Sequence, residues 1–431
     1  MHAKYGQQHQ QDKSRELQRT LYLCAKKSRN RRFHAMYDRI SRSDVILRAW
    51  KEVKANKGSA GTDGVTIEDI ETYGVAAYLK EIQEDLRNSA YRPQAVKRVF
   101  IPKSDGRKRP LGIPTLKDRI VQAACRIVIE PVFEANFLPT SYGFRPKRSA
   151  RGAIKEIRQG VARNWCVLDA DIEGFFDNLD HELLMQLVER RISDRRVLKL
   201  IRGWLKCGVI EEHRTNPTEI GTPQGGVISP LLANIYLHAM DMMWASKYAE
   251  LGKLVRYADD FVIICENRWI AQKALKAIGS ILARLKLRLQ TGKTQLVELG
   301  RKGFDFLGYH IHKFKSIRTG KYVPFMWPST EAMKSICKQI HDLTNRRMDC
   351  VALEEIVQRL NWVIRGWCGY FRIGNASRKL KVLDQYLNMR LIKFLCKRGQ
   401  RSKWNTVRAN QWLKICGIQR FYIPNVCGRP L

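Results

Sequence analysis

Acidic residues are scarce in this sequence. Its 431 residues include 78 Lys and Arg but 41 Asp and Glu, which gives a formal net charge of +37 at pH 7. Such a surplus repels itself and far exceeds the magnitude of about 2–8 that suits a small soluble domain. The charge therefore predicts a polyanionic partner, and nucleic acid is the first candidate. A membrane surface is the weaker alternative, because it selects one basic amphipathic helix and this charge is spread along the chain.

Three further features are missing. There is no run of about 18 apolar residues, which excludes a membrane-spanning helix. The polar N-terminus has no apolar stretch and does not look like a secretory signal. None of the 11 cysteines stands at C-x-x-C spacing, so neither a disulfide framework nor a zinc knuckle is predicted. These absences favour a reduced, cytosolic setting, while a hydrophobic content of 44% excludes general disorder.

The positive charge, although spread along the chain, is uneven, with large surpluses at both ends. Residues 378–431 contain 13 Lys and Arg and one acid, Asp384, and residues 1–60 contain 15 basic and five acidic residues. Aromatic residues are interleaved with the C-terminal cations, where they suit either base stacking or a core. These aromatics are Tyr386, Trp404, Trp412 and Tyr422. Both ends are predicted nucleic-acid-binding surfaces.

Periodicity predicts a mixed α+β body of two to four domains, with a helical module from about residue 314. Ser43 or Asp44 is the expected N-cap of the first clear helix, and a D-G hairpin turn is expected at 104–109. The predicted helices are 43–56, 76–88, 116–137, two segments within 181–208, then 228–251, 269–287, 329–347, 353–373 and 377–398. The predicted strands are 96–103, 165–172 and 304–311, and 255–265 is predicted as a strand, a turn and a second strand.

Two acid clusters stand out in this basic chain, LDADIEGFFDNLDH at 168–181 and RYADDFVII at 256–264. Carboxylates among apolar residues are unfavourable unless a cation is present. Neighbouring strand residues point to opposite faces, but a β-turn at Ala258–Asp259 would let both aspartates reach one region. A strand-borne Asp and a turn-borne pair make an oxygen-rich site suited to Mg²⁺. An exposed hairpin turn is the alternative interpretation of the Asp pair.

The sequence resembles the bacterial group II intron-encoded reverse transcriptases/maturases from about residue 37 to 400. No single motif is decisive, but eight occur in the family's order. They are NKGSAGTDGVT (56–66), the block from YRPQ to RIVQ (91–122), SYGFRPKRSA (141–150), DADIEGFFDNLDH (169–181), GTPQGGVISPLLANIYLHAMD (221–241), RYADD (256–260), LQTGKTQLV (289–297) with FDFLGYHI (304–311), and LNWVIRGWCGYFRIG (360–374).

The resemblance implies an α+β right-hand polymerase. Fingers and palm, with an antiparallel palm sheet, would be followed by an all-helical thumb/maturase domain and a short basic tail. The expected divisions are a basic N-terminal extension at 1–40, fingers and palm at 41–312, thumb/maturase at 313–398 and a DNA-binding-like tail at 399–431. No paired C-x-x-C with His is present, so the resemblance implies a member without the zinc-dependent endonuclease.

The implied function is RNA-directed DNA polymerisation that copies intron RNA during retrohoming, together with help in intron splicing. The 3′-OH would attack the α-phosphate of a dNTP, assisted by two Mg²⁺ ions, and no zinc is expected. Intron RNA, an RNA template/DNA primer duplex and target DNA are the expected partners, with no membrane, in the bacterial cytoplasm or at the nucleoid. The chain could be a monomer or a dimer. A reverse transcriptase with a defence or repair role, or a splicing-only maturase, are the alternatives.

Roles follow by resemblance at individual positions. Asp171, Asp259 and Asp260 would be the catalytic metal ligands, and Ile172 belongs to the same metal site. Phe176 would exclude a ribonucleotide 2′-OH, with Phe175 beside it in the core. The other expected nucleotide-binding residues are Lys103, Arg119, Gln224 and Lys293. The expected nucleic-acid-binding residues are Arg145, Arg148, Arg365, Arg372, Arg398, Arg401 and Lys403.

Overall fold

The computed structural model describes residues 2–102, 108–211, 214–216, 221, 225–317, 319–398 and 406–422. The chain divides into two compact units. The first comprises Met1–Ser149, Ala170–Ile263 and Gln272–Gln295, and the second comprises Ala150–Asp169, Ile264–Ala271 and Leu296–Leu431. The chain enters each unit more than once, and the expected sequence divisions at 40, 312 and 398 stay a prediction. Within the described ranges, no helix combines the length and hydropathy needed to cross a membrane.

Helices dominate the described residues, with strands between them. The helices are α1 (His2–Lys27), α2 (Tyr37–Ile40), α3 (Ser43–Ala55), α4 (Ile67–Tyr73), α5 (Val75–Arg87), α6 (Leu116–Glu134), α7 (Ala150–Arg163), α8 (His181–Glu189), α9 (Arg195–Lys206), α10 (Ser229–Lys247), α11 (Arg268–Arg284), α12 (Thr330–Leu343), α13 (Leu353–Phe371), α14 (Ser377–Arg398) and α15 (Thr406–Ile415). The strands are β1 (Val96–Pro102), β2 (Lys108–Ile113), β3 (Cys166–Ala170), β4 (Val209–Glu211), β5 (Arg214–Asn216), β6 (Lys253–Tyr257), β7 (Asp260–Cys265), β8 (Gln295–Glu298), β9 (Phe304–Phe306), β10 (Tyr309–Lys315) and β11 (Tyr322–Pro328).

The strands form three sheets with mainly antiparallel pairing. Their orders are β2-β1-β4-β5, β6-β7-β3-β8 and β11-β10-β9. The predicted hairpin is confirmed, since β1 and β2 pair antiparallel from Lys97↔Ile113 to Pro102↔Lys108. Its turn at 103–107 lies outside the described residues.

Helix α1 was not predicted, because its first half is polar and shows no apolar period. In its second half, Leu17, Leu21 and Ala25 are spaced by four residues and are buried. That spacing places them on one helix face, which explains why this segment packs as a helix. The basic N-terminal extension expected at 1–40 is therefore largely helical.

Helix α3 begins at Ser43, and its N-cap is Arg42 rather than Ser43 or Asp44. The prediction was wrong because Asp44 is used differently. Its carboxylate accepts two hydrogen bonds from the Arg42 guanidinium at 2.9 Å. An ion pair across the helix start thus replaces a side-chain cap.

The strand predicted at 304–311 is two strands in an antiparallel hairpin, with Tyr309 opposite Phe306. The chain reverses at Leu307 (φ +49°) and Gly308 (φ +77°). A type I′ turn requires positive φ at both loop positions, which Asn, Asp or Gly usually occupy. Because Leu stands at the first position, the sequence does not indicate a turn here. The expected helical module at 314 is also corrected, since β10 and β11 pair up to Pro328 before α12 starts.

The second unit contains a helical core built by α12, α13 and α14. Leu360, Leu383, Leu387 and Ile340 lie at its centre with at most 1% exposure. The same cluster includes Leu413 from α15 and Phe421 beyond it. The described part of the expected tail, 406–422, therefore belongs to this core, because its apolar residues complete the helical packing.

Candidate functional site

The RYADD segment forms a tight hairpin in the first unit. Strand β6 ends at Tyr257 and β7 begins at Asp260, so Ala258 and Asp259 are the two turn residues. Ala258 has a φ of +57°, a conformation that an L-residue adopts at a cost of about 1–2 kcal/mol. The predicted β-turn at Ala258–Asp259 is confirmed. It brings Asp259 and Asp260 to one end of the hairpin.

A buried ion pair holds this turn. The Arg256 guanidinium donates to both carboxylate oxygens of Asp241 at 2.9 and 2.6 Å. Both side chains are 1% exposed. The remaining Arg256 nitrogen, Nη1, donates to Asn234 Oδ1 at 3.1 Å and to the Ala258 carbonyl at 2.9 Å. The guanidinium therefore connects helix α10 directly to the turn residue that precedes Asp259.

The segment before Arg145 packs against the same hairpin. The backbone of Arg256 donates to the Thr140 carbonyl and accepts from Tyr142 N–H, both at 2.8 Å. A Cβ atom on Gly143 would collide with the Ala258 backbone, so this position requires glycine. Asn234 Nδ2 donates to the Gly143 carbonyl at 2.9 Å, which ties the three segments together.

Sequence reasoning did not identify the Arg256–Asp241–Asn234 network. A usable signal was present, because each charge interrupts an apolar pattern. Arg256 stands in LVRYA and Asp241 in AMDMM. Buried opposite charges are rarely found unpaired, so the two interruptions suggest an ion pair.

Asp171 directly follows strand β3, which is the neighbour of β7 in the sheet. Its carbonyl accepts from Gln290 N–H at 2.8 Å, and the next residue, Ile172, forms an antiparallel bridge with Leu289. Lys293 follows in a turn closed on the Gln290 carbonyl. Lys293 Nζ donates to Asp171 Oδ2 at 2.7 Å. The turn thus aims an ammonium group at the first predicted catalytic carboxylate.

The donor set suits a hard divalent cation. Asp171, Asp259 and Asp260 offer only carboxylate oxygens, the ligand type that Mg²⁺ prefers, and Asp171 already carries a cationic partner in Lys293. Within the described ranges, however, no group of three or more Asp, Glu, His or Cys side chains is close enough to hold a metal ion as they stand. The structure therefore places Lys293 Nζ on Asp171, and the metal-binding role of the three aspartates stays a prediction.

One other acid of the first cluster, Asp180, has a structural role. Asp180 Oδ1 accepts from Leu183 N–H at 2.8 Å and so caps α8, while Oδ2 pairs with Lys286 Nζ at 2.6 Å. Burial raises the pKa of the Asp180 carboxyl. The two hydrogen bonds lower that pKa by more than burial raises it, so the net shift is downward. Asp180 therefore stabilises the fold, whereas Asp171 is the predicted metal ligand.

The aromatic pair differs in burial. Phe175 is 2% exposed, as expected for a core residue. Phe176 is half-buried, and the two rings meet edge to face with centroids 5.2 Å apart. Phe176 therefore presents part of its ring beyond the core, as a residue that contacts substrate must.

The glycine-rich loop approaches this region with its backbone. Gly221 has a φ of +89°, and a Cβ there would meet the Phe176 and Asp177 carbonyls at 2.8 Å. A Cβ on Gly225 would meet the Gly112 carbonyl at 2.5 Å. Both glycines therefore let the loop lie against neighbouring backbone where a side chain would collide. Gln224 itself lies outside the described residues, as does Lys103.

Arg119 is not placed to grip a triphosphate. The residue is 8% exposed, and its Nε donates to the Pro114 carbonyl at 2.9 Å while Nη2 donates to the Ser59 carbonyl. Burial lowers the pKa of its guanidinium. These bonds anchor the loop at 58–61 beside the start of α6, so the nucleotide-binding assignment is replaced by a structural one.

Arg145 is also corrected. Its side chain is 3% exposed and forms a two-pronged ion pair with Glu134 at 2.7 and 2.9 Å. Nη1 donates to the Leu138 and Ser141 carbonyls. With its donors committed to the fold, Arg145 cannot also contact a phosphate, so its assignment to nucleic-acid binding was wrong.

The other residues predicted to contact nucleic acid differ in where they lie. Arg148, Arg365 and Arg372 are exposed, as such contacts require. Arg148 also lies over the Tyr142 ring, 5.3 Å from its centroid. Arg398 ends α14, and Arg401 and Lys403 lie outside the described residues.

Comparison with known proteins decides the family. Residues 101–311 match the reverse transcriptase (RNA-dependent DNA polymerase) family, and residues 333–412 match the group II intron maturase-specific domain. Protein YkfC of Escherichia coli strain K12 is 34% identical over 341 residues, which cover 70% of this chain and 89% of YkfC. This chain belongs to the group II intron reverse transcriptase/maturase family.

Two further relatives are similar to this chain over part of their length. The group II intron-encoded protein LtrA of Lactococcus lactis is 42% identical over 212 residues, 48% of this chain. The putative COX1/OXI3 intron 1 protein of Saccharomyces cerevisiae is 28% identical over 307 residues, 70% of this chain. The matched regions span 35% of LtrA and 34% of the yeast protein, about a third of each.

Family membership carries two general properties. The reverse transcriptase domain implies nucleotidyl transfer that depends on a divalent metal. The maturase domain implies binding to intron RNA. The hairpin with Asp259 and Asp260 belongs to the first matched region, and helices α13 and α14 belong to the second.

Proposed function

We propose that this reverse transcriptase/maturase copies its intron RNA into DNA during retrohoming and assists splicing of the same RNA. The observation that carries the polymerase assignment is the two-residue turn at Ala258–Asp259, which places Asp259 in the turn and Asp260 at the start of β7. Fingers, palm and thumb in a right-hand arrangement are part of the proposal. The chain would act in the bacterial cytoplasm and at the nucleoid, on intron RNA, a template/primer duplex and target DNA.

The chain's own residues prepare the reaction. Asp171, Asp259 and Asp260 would hold two Mg²⁺ ions, which when bound lower the 3′-OH pKa and neutralise the departing pyrophosphate. Arg256 fixes the turn that carries Asp259. Lys293 neutralises Asp171 until a stronger cation or the substrate competes for it.

Substrate selection would fall to Phe176. Its exposed ring portion would occupy the space of a ribose 2′-OH, so a dNTP fits and an NTP meets the ring. Gly221 and Gly225 keep the neighbouring loop close to this region, because no side chain separates the backbones.

Primer extension on an RNA template annealed to a DNA primer tests the polymerase. Asp259→Asn is expected to abolish extension, because a neutral amide binds a divalent cation far less well than a carboxylate. The matched control is Asp177→Asn, which removes an exposed carboxylate from the neighbouring acid cluster and should extend normally. Extension by the Asp259→Asn protein would contradict the mechanism.

The RNA partner is identified by purifying the protein with its bound RNA and sequencing that RNA. A transcript that folds as a group II intron, and splices faster with protein than without, is expected. Recovery of RNA without such an intron would instead favour a reverse transcriptase with a defence or repair role.

A further inference from the structure

A cavity of about 880 Å³ opens in the first unit. It is bounded by helices α8 and α10, the end of α11 and the segments at 26–30 and 133–139. None of its lining residues belongs to the site described above. The volume lies within the range of about 300–1,000 Å³ that is usual for clefts binding small molecules.

The charge of the lining has one sign. It includes Lys26, Arg29, Arg190, Arg191 and Arg284 but no Asp or Glu. Arg190 and Arg284 are exposed, and neither is among the arginines that form ion pairs with other described residues, such as Arg145 and Arg196. Two exposed cations in the lining of a cleft are suited to an anion, above all a phosphate.

The interior of the cavity is apolar and partly aromatic. Phe133, Leu187, Ile235 and Leu285 contribute to its walls. The Phe137 ring meets His238 edge to face, with centroids 5.3 Å apart. A flat, apolar group with polar edges would fit such walls, and a nucleic-acid base has this character.

Three residues of the lining also carry a buried polar atom with unused hydrogen-bonding capacity. Among the described residues, Asn136 Oδ1, His238 Nδ1 and Arg191 Nε are buried without a hydrogen-bond partner. Arg191 is 6% exposed, and its other nitrogens donate to carbonyls at the end of α1. An unpaired buried polar group is unfavourable by about 1–3 kcal/mol, so a ligand that supplies partners gains affinity.

We propose that this cavity binds an unpaired nucleotide of the bound RNA. The base would enter the apolar interior beside Phe137, and the side chains of Asn136 and His238 would turn to offer it their unpaired Oδ1 and Nδ1 atoms. Its flanking phosphates would pair with Arg190 and Arg284. This inference rests on one part of the proposed function, namely that the chain binds RNA.

Two kinds of substitution test the cavity in the full-length protein. Ala239→Trp fills its interior, and Arg190→Ala with Arg284→Ala removes its rim charges. The probe is a fluorescein-labelled, unstructured single-stranded RNA of about 20 nucleotides, with binding followed by anisotropy. Each variant is expected to weaken binding at least fivefold. Because Arg190 and Arg284 are exposed, their removal remains informative if Ala239→Trp does not fold.

Matched controls lie on neighbouring surfaces. Ala245→Trp adds the same ring at an exposed position of α10, and Arg195→Ala with Lys199→Ala removes two exposed charges from α9. Both should bind within twofold of the unmodified protein. Normal RNA binding by the cavity variants would overturn the proposal, as would losses in the controls equal to those in the cavity variants.

Two further readouts separate the proposals. Primer extension on a preformed template/primer at saturating concentration should stay within twofold in the cavity variants, so absence of extension in the unmodified protein would fail the polymerase proposal alone. Sedimentation without RNA tests a second copy as occupant. If Ala239→Trp abolished self-association but left RNA affinity unchanged, the nucleotide proposal would be wrong.

Discussion

The ion pair beneath the catalytic turn gives the sharpest prediction. Asp241→Asn keeps the shape of the side chain but leaves the Arg256 guanidinium charged and buried at 1% exposure. Removing one partner of a buried pair costs about 3–5 kcal/mol. That is a large share of the roughly 5–15 kcal/mol that stabilises a domain. A lower midpoint of chemical denaturation, with the same denaturant dependence, is the expected result.

The double variant separates stability from catalysis. Arg256→Gln combined with Asp241→Asn leaves no uncompensated charge, so stability should recover relative to Asp241→Asn alone. The bond from Arg256 Nη1 to the Ala258 carbonyl is still lost, however. We expect a kcat for primer extension about tenfold lower, equivalent to about 1.4 kcal/mol, with a nearly unchanged KM for dNTP.

A control with matched destabilisation is available. Ile46→Ala truncates a side chain in α3 that is 1% exposed, at a cost of about 2–5 kcal/mol. Ile46 is not part of the hydrogen-bond network that holds the turn, so the variant should leave kcat unchanged below its unfolding transition. Full activity of the Arg256→Gln, Asp241→Asn protein, or an equal loss of kcat in Ile46→Ala, would refute the positioning role.

Three other predictions concern single side chains. Phe176→Ala should raise incorporation of NTP relative to dNTP at least tenfold, measured by competitive extension, whereas Phe175→Ala should chiefly lower stability. Lys293→Met removes the cation that competes for Asp171, so half-maximal extension should require less Mg²⁺; a higher requirement would contradict this. Burial, with Arg256, Arg145 and Arg190 against the opposing effect of Asp241, lowers the pKa of His238 from 6.5 to about 4. The unfolded chain therefore binds the extra proton first, so stability is lost as pH falls from about 6.5 towards 4, by up to about 3 kcal/mol. His238→Gln should reduce this loss in denaturation curves measured across that range.

Local patterns predicted most of the regular structure. Helices α5, α6, α10, α13 and α14 were expected from apolar periodicity. The hairpin of β6 and β7 follows from two apolar strands separated by a tight turn. These elements were predictable because the energies that select them act over a few residues. The same reasoning missed α1, whose apolar face is confined to its second half.

Segments whose conformation depends on distant contacts were not predictable. The turn at Leu307–Gly308 contains a leucine with positive φ, which local preference opposes. Residues 406–422 read as a basic tail, yet Leu413 and Phe421 are buried in the helical core. The composition of residues 406–422 shows that they are basic. It does not show that an apolar surface elsewhere in the chain packs against Leu413 and Phe421.

The sequence by itself determined the chemistry of this protein: a basic chain for nucleic acid, with Asp171, Asp259 and Asp260 as an acidic exception. Only the tertiary structure decided which charges are free to act. Arg119 and Arg145 look like phosphate contacts in sequence but are bonded to carbonyls and Glu134, while Arg190 and Arg284 stand beside a cavity. The reason is physical, since a charge is equally visible in sequence whether buried or exposed, and its partners are supplied by segments far away in the chain.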